Sequence, residues 1–110
     1  MNGKPKESDW KQFRGMVEFL RERYLKDKNQ KLNKILTDTE RTATDRFWDT
    51  FEEMNKEKKI LQDCFDRHSR SQMYISMLLM LRYGMLKEAD LKGFSKELRE
   101  QLTTHLNMKL

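Results

Sequence analysis

The stretch Met73–Tyr83, MYISMLLMLRY, decides how this chain is read. Nine of its eleven residues are apolar or aromatic, and only Ser76 and Arg82 interrupt. A helix that is apolar on nearly all sides must be surrounded by other elements or by a partner. The stretch therefore reads as the central helix of an all-α protein, a small helical bundle of about four helices packed around residues 71–83. Met77, Leu78 and Leu81 are its expected core residues. Ser69 or Ser71 is the expected cap at its start, and Gly84 supplies the left-handed residue that closes a helix.

Working outward towards the N-terminus, Trp10, Phe13, Val17, Leu20 and Tyr24 recur at spacings of 3, 4, 3 and 4, which is one helical stripe. Met16 and Phe19 widen it. Gly15 weakens this helix and is expected to let another helix approach. Ser8 or Asp9 is the expected cap, and the helix continues past Leu32 and Leu36 to a break near Thr37. Residues 1–7, with Gly3 and Pro5, read as a flexible tail ahead of one domain spanning 8–110. Thr37 or Thr39 opens a second helix reaching about Arg67, and Thr37 followed by Glu40 fits a capping box. Its apolar residues Phe47, Phe51, Met54, Leu61 and Phe65 lie within roughly 80° of arc, so they are expected to face inward, with Lys58 snorkelling beside them. Trp48 and Ile60 fall off that stripe. Towards the C-terminus, Gly93 stops a short turn, Ser95 caps a last helix, and Leu98, Leu102 and Leu106 form its stripe.

Composition agrees with long helices. There are one proline and four glycines in 110 residues, and 37% of the chain is charged. One cysteine, Cys64, excludes an internal disulfide framework. The run around Met73–Tyr83 is shorter than the ~20 residues of a membrane span, and MNGKPKESDW offers no apolar leader segment. A cytoplasmic protein with no membrane partner is the expectation. The net charge of +5 divides as +5 over residues 1–36, −2 over 37–70 and +2 over 71–110.

Chemistry-bearing patterns are few. Cys64 and His68 share a helix face at i, i+4, but only His105 could join them, and structural zinc takes four ligands. The i, i+3 acidic pairs Asp49/Glu52, Asp63/Asp66 and Glu97/Glu100 resemble those with which all-α nucleotide pyrophosphatases hold magnesium. That resemblance implies a metal-dependent nucleotide hydrolase. The acids of the second helix, however, project away from its apolar stripe and alternate with Lys56, Lys59 and Arg67, as on a solvated face. Ser69 and Ser71 near Asp66 and His68 lack a nucleophile elbow, and no phosphate-binding glycine loop occurs. A helix-turn-helix placed over Ala89 and Gly93 would bury Glu88, Lys92 and Arg99. No catalytic residue, metal or cofactor is therefore assigned.

The expected function is a non-enzymatic, helical protein–protein interaction or regulatory module. Its partner is another protein or a second copy in a homodimer. The candidate partner-binding residues are Trp48, Ile60, Met73, Met77, Met80 and Met85, because methionines recur on adaptable binding surfaces and exposed apolar surface usually signals a partner. The alternative is a small nucleic-acid-associated factor using Lys11, Arg14, Arg21 and Lys28 on the first helix to track phosphates. Glu18, Glu22 and Asp27 interleave with these, so nucleic acid is possible but not expected. A metal-dependent nucleotide hydrolase stands last.

Overall fold

The computed structural model describes residues 5–66 and 69–108. Among these the chain is all-α. Four helices run in the order α1 (Glu7–Leu36), α2 (Ala43–Phe65), α3 (Met73–Arg82) and α4 (Lys96–Asn107), with 3-10 turns at Arg70–Gln72 and Glu88–Gly93. Helices α1 and α2 form an antiparallel hairpin. Arg46 donates to the Leu36 carbonyl, Lys31 pairs with Glu53 at 3.2 Å, and Tyr24 donates to Glu57.

The connection between them follows local polar chemistry. Thr37 ends α1, with its N–H and hydroxyl both donating to the Asn33 carbonyl. Asp38 then accepts the Glu40 N–H in a tight turn. The cap of α2 is Thr42, whose hydroxyl accepts the Asp45 N–H. The cap expected at Thr37 is thus displaced by five residues to Thr42, because Thr37 is already used at the end of α1.

The core matches the central-helix reading in outline and corrects it in detail. The first-helix stripe of Phe13, Val17, Leu20 and Tyr24 is buried, with Trp10 partly so. These residues meet Met73, Tyr74, Met77 and Met80 of α3, then Met85, Leu86, Leu91 and Phe94 of the following segment, and Leu98 and Leu102 of α4. Met77 is fully buried, whereas Leu78 and Leu81 are only partly buried, and Ile75 and Tyr83 stand at the surface. Ten residues of α3 are packed on more than one side but not all round. The expected caps Ser69 and Ser71 make no capping bond to α3; Gln72 precedes it and Ser69 precedes the 3-10 turn. At the other end the expectation at Gly84 is met. Its φ is 76°, the Met85 N–H reaches the Met80 carbonyl at 2.8 Å, and the Gly84 N–H reaches Leu81. These bonds form the glycine-terminated motif that satisfies otherwise orphaned carbonyls. Leu106, the last member of the α4 stripe, is exposed.

Three polar ties hold α1 to the C-terminal half. Arg70 donates to the Pro5 carbonyl and pairs with Glu7 at 2.7 Å. Residues 1–4 lie outside the described residues, but the expected tail does not extend through 7: Pro5 is buried and Glu7 is already helical. Asp9 does not cap its own helix. Its buried carboxylate accepts the Ser95 N–H at 2.8 Å and the Ser95 hydroxyl at 2.6 Å, while that hydroxyl accepts the Leu98 N–H. An acid on α1 thereby steadies the positive N-terminus of α4. Arg23 forks onto Asp90 at 3.1 and 2.6 Å and also donates to the Met85 carbonyl. Gly15 is not a point of close approach, since a side chain added there would meet nothing within 4 Å.

Met77→Ala should lower the unfolding free energy by about 2–5 kcal/mol, measured by urea titration, whereas a cost below about 1 kcal/mol would place the centre of the core elsewhere. The Arg23 guanidinium holds the Asp90 carboxyl below its ordinary value, so this pair stabilises the fold above the unfolded carboxyl value near ~4 and the contribution is lost as pH falls through the lower folded value. Asp90→Asn should accordingly cost about 1–3 kcal/mol at pH 7, and its difference from the parent chain should close in acid.

Candidate functional site

An apolar groove lies along the α1–α2 hairpin, lined by residues of these two helices alone. Helix α2 turns Thr50, Glu57 and Cys64 inward, spaced seven residues apart and therefore nearly in line on one face. Glu57 is accepted there because its carboxylate accepts a hydrogen bond from the Tyr24 hydroxyl. Burial, reinforced by Glu57, pushes the Tyr24 hydroxyl well above its ordinary value, so Tyr24 stays protonated and donating. The Thr50 hydroxyl is buried without a hydrogen-bond partner.

With that face inward, the stripe expected to be core is rotated outward. Leu61 and Phe65 remain partly buried against the core, but Phe47 is 62% exposed, Met54 56% and Phe51 40%. They share an open groove of about 820 Å³ with Leu25, Leu32 and Leu36 of α1. Trp48, 57% exposed, extends the patch: its ring stands edge-on to Phe47 at 5.0 Å and tilted to Phe51 at 5.9 Å. Leu36, Phe47, Trp48, Phe51 and Met54 together present on the order of 500 Å² of accessible surface, a size at which apolar patches are often functional. The opposite side of the hairpin is charged and paired, with Glu53 against Lys31 and Asp49 against Arg41.

The sequence-predicted partner residues separate in space. Trp48 stands beside the groove. Ile60 packs partly buried against the core. Met73, Met77, Met80 and Met85 are 0–1% exposed and cannot form a surface; they fill the space between α1, α3 and α4 as core side chains. Phe47, Phe51 and Met54, read as interior, are the exposed residues instead. Nothing in the periodicity of α2 marks this inversion, because Glu57 qualifies as an inward position only through Tyr24 on another helix.

Of the four candidate phosphate-tracking residues of α1, three lie over aromatic rings. The guanidinium of Arg14 lies 5.5 Å from the Trp10 ring, that of Arg21 5.9 Å from Phe65, and the Lys28 ammonium 5.0 Å from Tyr24. Lys11 is exposed. Glu88, Lys92 and Arg99 are also exposed, and residues 88–93 form a 3-10 turn, so no helix-turn-helix is built there. Among the described residues no three His, Cys, Asp or Glu side chains converge as a metal site. Cys64 is buried, and its expected neighbour His68 lies outside the described residues. No helix among the described residues is long and apolar enough to cross a membrane. Compared with known protein families, with curated proteins and with solved structures, the chain gives no match.

Because Met54 is mostly solvated, Met54→Gln should change the unfolding free energy by no more than about 0.5 kcal/mol, in contrast to Met77→Ala. In a Trp10→Phe background the remaining indole, Trp48, should show the red-shifted emission of solvated tryptophan. A blue-shifted spectrum in the isolated chain would mean that the patch is already covered.

Proposed function

We propose that this chain is a non-enzymatic helical interaction module that binds protein through the groove between α1 and α2. The observation that carries the reading is the continuous exposed run of Phe47, Trp48, Phe51 and Met54, facing Leu32 and Leu36 across the hairpin. Two antiparallel helices with one apolar face uncovered are half of a helical bundle, and a further helix laid along them completes the layer. The carboxylates drawn into the fold support structure rather than turnover. Asp9, Glu57 and Asp90 are each hydrogen-bonded to a named donor of the fold, leaving them poorly placed to act as general bases. A regulatory role follows if the occupant is exchanged. Self-association, if it occurs, uses this groove and not the methionines of the core.

Affinity capture with the full chain, run with and without nuclease, tests the reading against a Phe47→Glu/Met54→Glu variant. Both substitutions are at mostly exposed positions, so the variant should keep its circular dichroism and melting temperature within a few degrees. The expected result is protein partners, or a concentration-dependent dimer in light scattering, that survive nuclease and are lost in the variant. Unchanged capture by the folded variant, or capture abolished by nuclease, would overturn it.

A further inference from the structure

We infer that the occupant of the α1–α2 groove is an acidic amphipathic helix from another protein; this rests on the interaction-module reading above. The shape comes first. The groove follows α2 from Phe47 to Leu61, fifteen residues spanning about 21 Å of helix axis, which is close to four turns of a docked helix. It lies open along that length, with Phe47, Phe51 and Met54 each substantially exposed. A small ligand is normally enclosed on most of its surface. An amphipathic helix instead lays an i, i+3, i+4, i+7 stripe into such a trough and leaves its polar face in water.

The charge of the lining selects between partners. Its charged side chains are Lys28, Lys58 and Glu57. Glu57 is buried and bonded to Tyr24, so it does not answer the partner. Lys58 is exposed and carries the main positive charge of the lining, while Lys28 lies over the Tyr24 ring at the groove wall and also sits 3.9 Å from the exposed carboxylate of Asp27. The other polar lining groups, Asn29, Asn55 and Gln62 among them, are neutral. A helix carrying glutamates or aspartates beside its apolar stripe meets Lys58 and Lys28 with opposite charge. A two-fold-related second copy would bring the lysines of both chains onto one apolar floor whose one lining acid, Glu57, is buried and already bonded to Tyr24, an arrangement that costs affinity.

The test uses the full chain as Trp10→Phe, so that Trp48 alone reports. The probes are two synthetic helical peptides of about 18 residues sharing one leucine stripe at i, i+3, i+4 and i+7. One is flanked by glutamates and the other by lysines. The acidic peptide should shift Trp48 emission to the blue and bind at least tenfold more tightly than the basic one, with the margin shrinking as salt is raised. A Lys28→Glu/Lys58→Glu variant should reverse the preference, and Phe47→Glu/Met54→Glu should weaken both peptides. Equal binding of the two peptides, or no binding of either by the monomeric chain, would overturn the inference. So would a concentration-dependent dimer in light scattering that Phe47→Glu/Met54→Glu dissociates, since the occupant would then be a second copy. That last result leaves the interaction module standing, whereas failure of the module is read separately, as capture unchanged by the groove variant.

Discussion

A mismatch of helix lengths governs this molecule. Helix α1 has thirty residues and α2 twenty-three, about 45 and 35 Å of axis at 1.5 Å per residue. The helices that pack on them, α3 and α4, have ten and twelve, or about 15 and 18 Å. Neither α3 nor α4 can cover the longer helices from end to end. The fold is therefore elongated, 53 Å by 30 by 23 Å. One half is a four-helix core. The other is a two-helix arm with a face that no element of the described chain reaches. The apolar groove is the direct consequence, and the candidate function follows from geometry before it follows from any motif.

The core end compensates for its small size with polar ties that cross long stretches of sequence. Arg70 to Pro5, Asp9 to Ser95 and Arg23 to Asp90 join residues 65, 86 and 67 positions apart. Each is a charged group meeting several donors or acceptors at once, the geometry in which hydrogen bonds are strongest. They set where α4 and the Glu88–Gly93 turn sit along α1, while methionines fill the irregular space between. The arm is held more lightly, by the buried Tyr24–Glu57 hydrogen bond and by partly exposed pairs such as Lys31–Glu53. Surface pairs of that kind contribute little each. The outer part of the arm is consequently the part of the fold most open to stabilisation by an occupant, in keeping with a binding role.

What the sequence by itself determined is the set of local choices. The all-α class, the extent of α1 to Leu36, the closing glycine at Gly84, the Ser95 cap and the inward stripe from Phe13 to Tyr24 all rest on interactions within a few residues. Periodicity and short-range hydrogen bonding are sufficient to specify them. The tertiary structure decided everything that needed a second element. Asp9 looked like a cap of its own helix, but its partner Ser95 is eighty-six residues away. Phe47, Phe51 and Met54 looked like core because an apolar stripe on one helix does not say whether another helix is long enough to cover it. Met73, Met77, Met80 and Met85 fit core and binding surface alike in the sequence, and what makes them core is their neighbours in space, which come from α1 and α4. Nothing in the sequence around Glu57 marks it as inward; it is an inward residue of α2 because Tyr24 on the facing helix supplies the hydrogen bond that makes its burial affordable. That single pairing accompanies the rotation of α2 that leaves its apolar side to the groove.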